Sequence, residues 1–133
     1  MKPIAYCVLA LAAMLPISAT ADRSVIKVYT DENNCPIYTR TETKNCAHRD
    51  GRHERNRSCR KKNQKIVWRY TDRSIDDPME ITMKPNNPNI FAKGCRERKK
   101  RVVCRVSRRA ANGSYEYNIE NSACKLDPRI IIY

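Results

Sequence analysis

The chain reads as an all-β domain: a disulfide-stapled antiparallel β-sandwich with little helix. Three observations predict it. Apolar residues recur with a period of two rather than 3.6, turn-forming residues punctuate the chain at intervals of about ten, and no amphipathic helix exceeds about two turns. Six cysteines then supply staples for a domain whose own apolar content is thin.

The domain does not begin at the first residue. Lys2 is followed by an almost entirely apolar run over residues 4–15, then Pro16 and the small-x-small site Ala19-Thr20-Ala21. That order reads as a secretory signal peptide over residues 1–21, too short for a membrane anchor and cleaved before Asp22. Cys7 lies inside it and leaves with it. Residues 22–133 are then one exported domain, periplasmic or extracellular, with no second long apolar stretch.

The strands follow in order. Residues 25–30 (VIKVYT) are rich in β-branched residues and end at the turn-forming Asp31-Glu32-Asn33-Asn34. Residues 39–63 are polar and charged, which predicts an irregular stretch closed by a turn at Asn63 and Gln64. Ile66, Trp68 and Tyr70 share one strand face, with Val67 and Arg69 on the other. Residues 76–88 hold Pro78, Pro85 and Pro88, which exclude a long helix, yet Ile81 and Met83 alternate with Thr82 and Lys84. Val102, Cys104 and Val106 alternate with Val103 and Arg105. Asn112-Gly113 predicts a tight turn before Tyr115, Tyr117 and Ile119, which alternate with Glu116 and Asn118. Residues 130–133 form a continuous apolar run, as in a strand buried on both faces.

Large apolar residues make up roughly a fifth of residues 22–133, near the floor for a folded chain. The six cysteines left after cleavage (Cys35, Cys46, Cys59, Cys95, Cys104 and Cys124) offset this with up to three disulfides in an oxidising compartment. Spacing does not select among the pairings.

"KKNQKIVWRY", followed much later by "GSYEYNI" and a last strand, resembles the cupredoxin pattern. The closing segment, Cys124 to Ile132 (CKLDPRIII), is similar to that of small exported bacterial proteins with a cupredoxin-like or immunoglobulin-like sandwich. The resemblance covers residues 66–133 and implies a sandwich whose copper-binding members carry a cysteine, a histidine and a methionine in the loop before the last strand. Here that loop, residues 120–127, offers only Cys124, and no histidine follows Trp68. A copper site needs two histidines and a thiolate, so the frame is expected without metal or other cofactor.

The cluster Cys46, His48, His53 and Cys59 has zinc-competent residue types but an unusual spacing, and an exported compartment oxidises thiols. Cys46 and Cys59 are expected as disulfide halves. The two histidines sit too close together to read as an acid–base pair drawn from separate strands, and no nucleophile motif is visible, so no catalytic residue is assigned.

Charge is the dominant signal. The chain holds 27 basic and 14 acidic residues, and cleavage removes only Lys2, leaving 26 against 14, or +12. Two blocks carry most of it. In the second, Cys95 and Cys104 bracket Arg96, Arg98, Lys99, Lys100 and Arg101, which predicts a disulfide-closed basic hairpin. The first contributes Arg55, Arg57, Arg60, Lys61 and Lys62 as a second patch. Such a surface suits charge-assisted hydrogen bonds to phosphate. The expected function is non-catalytic binding of anionic ligands: envelope polyanions or membrane headgroups first, nucleic acid next. A secreted effector or toxin-like protein with a protein target is the alternative, and a small secreted hydrolase or ribonuclease the third class. The aromatics alternate within strands while the basic blocks hold none, which assigns Trp68, Tyr70, Tyr115 and Tyr117 to the core.

Overall fold

A computed structural model describes residues 23–41, 55–98 and 100–133. Ten strands form: β1 (Arg23–Thr30), β2 (Pro36–Thr41), β3 (Arg57–Arg60), β4 (Lys65–Tyr70), β5 (Glu80–Met83), β6 (Arg96–Arg98), β7 (Arg101–Arg105), β8 (Gly113–Glu120), β9 (Lys125–Leu126) and β10 (Arg129–Ile132). There is no helix among the described residues. One sheet has the order β2-β1-β4-β7-β6 and the other β3-β10-β8-β5, with β9 paired to β8.

The period-two faces meet in one core. Ile26 and Val28 of β1, Ile66, Trp68 and Tyr70 of β4, and Val102 and Cys104 of β7 face Tyr115, Tyr117 and Ile119 of β8 and Ile130 and Ile132 of β10. Trp68 sits at the centre, fully buried, edge-on to Phe91 and Tyr117.

The predicted turns after β1 and before β4 form. Asp31 Oδ1 accepts the backbone N–H groups of Asn33 and Cys35, and Asn34 takes φ 62°, closing the β1–β2 hairpin. Gln64 Oε1 accepts from Lys61 N at 3.0 Å while Asn63 takes φ 64° ahead of β4.

Four details differ from the sequence expectation. The sheets are mixed rather than purely antiparallel: β1 runs parallel to β4, and β10 to β3. After β2 the chain crosses to the other sheet as β3 and returns as β4, and a crossover of that kind delivers a parallel neighbour. The stretch expected to be irregular holds part of β2 and all of β3. There Ser58 and Arg60 are buried polar residues, so the strand carries no apolar alternation to read. Asn112-Gly113 does not close a hairpin, because β7 and β8 lie in different sheets and Gly113 is near-extended at φ 159°. Finally, β10 buries one face only. Ile130 and Ile132 point inward, Ile131 is half-buried and Tyr133 is exposed, because the outer side of that sheet is polar.

Two disulfides are complete among the described residues. Cys35–Cys124 ties the β1–β2 turn to the β8–β9 loop across the two sheets, and Cys95–Cys104 closes the β6–β7 hairpin. Cys59 is disulfide-bonded as well. Cys46, also expected as a disulfide half, lies outside the described residues, as do His48 and His53.

Candidate anion-binding site

The period-two pattern that buries Ile66, Trp68 and Tyr70 must send Lys65, Val67 and Arg69 to the outer face of the five-stranded sheet. The register lines up what stands there. Arg40 of β2 is opposite Lys27 of β1, Lys27 opposite Arg69 of β4, Arg69 opposite Arg101 of β7, and Arg101 opposite Arg98 of β6. One row of five cations therefore crosses all five strands. At about 4.8 Å between neighbouring strands it is roughly 19 Å long. Two residues along, the next row is Val25, Val67, Val103 and Arg96, and beyond it Lys65 faces Arg105.

These rows enclose two shallow grooves that share Arg101. The first, about 550 Å³, has Val67 and Val103 as an apolar floor and Lys65, Lys93, Arg96, Arg98, Arg101 and Arg105 around it, with no acid among the described residues of its lining. The second, about 480 Å³, is bordered by Lys27, Arg69, Arg73, Lys100 and Arg101, with Asp72 as the one acid among the described residues. Asp72 is occupied locally: the Ser74 hydroxyl and backbone N–H both donate to it and hold its carboxyl below the usual range, with Lys100 adding to the effect. Lys100, at φ 66° in the hairpin turn, pairs with Asp76 at 3.2 Å and pins the hairpin tip to the loop after β4.

The other sheet treats charge differently. Arg129 on β10 is in register with Glu116 on β8 and bonds it at 3.0 Å. Lys125 on β9 is in register with Glu120 and lies 3.6 Å from it. Lys84 adds contacts to Asp127 and Glu116. That sheet also sets Arg129 opposite Arg57 and Glu80 opposite Glu120, so it intersperses both signs, whereas the row across the five-stranded sheet is basic throughout.

The sequence-predicted residues divide accordingly. Arg96, Arg98 and Arg101 stand on the outer face at the β6–β7 end, in a hairpin with the predicted disulfide, and Lys100 occupies its turn. Lys99 lies outside the described residues. The second patch does not exist as a unit. Arg60 is fully buried, its Nη1 donating to the Cys59 carbonyl at 2.6 Å, so it presents nothing to a ligand. Arg57 is exposed on β3 in the opposite sheet, and Lys61 and Lys62 lie in the turn before β4. Arg55 alone joins the outer face, 4.6 Å over the Tyr38 ring, which Arg40 also approaches at 5.5 Å. Tyr38 itself stacks on Tyr29 at 4.4 Å.

Sequence reasoning missed Lys27, Arg40 and Arg69, because they are scattered singly through three strands. Only the strand order makes them neighbours.

The loop before the last strand also acquires a role. Cys124 is held by Cys35, so its sulfur closes a disulfide rather than standing as a thiolate. Among the described residues no three His, Cys, Asp or Glu side chains are grouped to hold a metal. No protein-family model matches the chain, and no curated protein matches it in sequence.

Proposed function

We propose that the protein is a non-catalytic exported binding protein, a cupredoxin-like frame without copper that takes anionic ligands on the outer face of its five-stranded sheet. The observation that carries this reading is the uniform sign of the Arg40–Lys27–Arg69–Arg101–Arg98 row. Like charges directly opposite on paired strands are destabilising, and the other sheet, although it too sets Arg129 opposite Arg57, intersperses both signs. A face selected for solubility alone would mix signs. Four of the five cations are arginines, whose planar fork bonds phosphate in a bidentate manner. The disulfides accord with an oxidising compartment. Envelope polyanions and anionic headgroups are the first ligand class, and nucleic acid the second.

The test is binding of the oxidised chain to lipopolysaccharide, to vesicles containing anionic lipid and to a single-stranded oligonucleotide over a range of salt. An R96Q/R98Q/R101Q variant runs beside it. Selective binding that persists near physiological salt and is lost in the variant supports the reading. Weak binding that vanishes equally for all three ligands there would sink it.

A further inference from the structure

We infer that the ligand is a linear polyanion, a polymer of closely spaced phosphate or sulfate groups, laid across the strands along the Arg40–Lys27–Arg69–Arg101–Arg98 row. This rests on the anion-binding reading and adds the ligand's shape and the direction in which it lies.

The row has the form of a track. Each cation belongs to a different strand, and successive strands are rotated by about 20–25°, so the five head groups follow a line instead of converging on a point. A single compact anion would engage two or three of them. A chain of anions engages all five, and the border that the two grooves share at Arg101 makes the track continuous from Lys27 to Arg98, with Arg40 next in register. The strands that carry these cations are about 4.8 Å apart, inside the roughly 8 Å screening length at physiological salt.

The same face argues against the other polyanions. A membrane-surface site combines basic residues with protruding apolar ones that enter the acyl boundary. Here the apolar row is sunk between the cations, with Val67 buried and Val103 half-buried. A single-strand nucleic-acid site presents aromatic faces for base stacking. The aromatic pair on this face, Tyr29 and Tyr38, is stacked on itself, and Arg55 covers Tyr38 as well. What is left is a surface that reads charge and spacing without bases or acyl chains.

The experiment is a length series. Inorganic polyphosphate from the trimer upward, and heparin-derived oligosaccharides of matched charge, are titrated into the oxidised protein at physiological salt. A single-stranded oligonucleotide of equal charge runs beside them. Affinity is expected to climb with length until the polymer spans roughly 19 Å and then to level off, and whichever polymer binds tighter identifies phosphate or sulfate as the repeat. R69Q/R101Q should weaken the long polymers by about tenfold or more and flatten the length dependence, because it interrupts the track. R108Q/R109Q removes the same charge from two exposed residues after β7 that border neither groove and should change affinity less than about twofold. The length series on the unaltered protein stands whether or not the variants fold. Trimer and long chains binding equally tightly, with both lost in R69Q/R101Q, overturns the linear ligand and leaves anion binding intact. No binding at any length, in the unaltered protein, overturns both. An oligonucleotide that binds more tightly than polyphosphate overturns the inference in favour of base contacts.

Discussion

Trp68 on β4 donates its indole N–H to the Tyr117 hydroxyl on β8 at 3.0 Å, a buried hydrogen bond that joins the two sheets at the centre of the core. Neither group has water to turn to, and their rings also pack edge-on at 5.7 Å. Tyr117→Phe keeps the ring contact and strands the indole donor, so it should cost about 1–3 kcal/mol in urea unfolding. Made in a Trp68→Phe background, the same substitution should cost less, because no donor is left behind. Equal costs in both backgrounds would show that the hydroxyl contributes through something other than Trp68.

Burial pushes the Tyr117 hydroxyl well above its ordinary value of 10.0, against opposing effects from the Trp68 hydrogen bond and the nearby Arg60 charge. Tyr70 is also raised, chiefly by burial. The sign follows from linkage. Above pH 10 the unfolded chain releases a proton that folded Tyr117 retains, so stability is full below that pH and falls as pH rises through the folded value. The slope is about 1.4 kcal/mol per pH unit for Tyr117 alone. Urea midpoints measured from pH 8 to 11.5 should drop beyond about pH 10, and more shallowly in Tyr117→Phe. Parallel curves for the two proteins would refute the assignment.

The two complete disulfides should differ in weight. Cys35–Cys124 closes a separation of 89 residues and Cys95–Cys104 one of 9. Loop-closure entropy assigns about 4–5 kcal/mol to the first and about 3 kcal/mol to the second. C35A/C124A should therefore lose more stability than C95A/C104A, while the second should lose more anion affinity, because it loosens the hairpin that carries Arg96, Arg98 and Arg101. Denaturant midpoints and one binding titration separate the two effects.

The sequence made the inward faces of β4, β7 and β8 readable because each strand repeats the same contrast between apolar and polar neighbours. The Cys95–Cys104 hairpin was legible for the related reason that its contacts are local. What escaped was set by partners distant in sequence. Strand β3 is held by backbone pairing to β10, and its buried Arg60 looks like a surface cation when read alone. The ladder was hidden in the same way, since Lys27, Arg69 and Arg101 become neighbours only once β1 is known to run parallel to β4 and β4 antiparallel to β7. Local charge density pointed to a hairpin and a loop, whereas register points to a face.

If the ladder is kept for binding at a cost to stability, the two properties should move in opposite directions when its sign pattern is repaired. Arg101 stands between Arg69 and Arg98 and is exposed. Arg101→Glu would place a carboxylate between two guanidinium groups, reproducing the opposite-sign pairing that Arg129 and Glu116 make on the other sheet. The free protein should gain about 0.5–1 kcal/mol at low ionic strength, and the gain should fade as salt screens the row. Polyanion affinity should fall by more than about tenfold in the same variant, since a repelling charge now sits in mid-track. Thermal unfolding at low and high salt, with a titration of long-chain polyphosphate, measures both. Arg101→Gln should lie between Arg101→Glu and the unaltered protein on each axis. A variant that lost stability along with affinity would mean that Arg101 holds the sheet together, and the ladder would then be part of the fold rather than a binding surface.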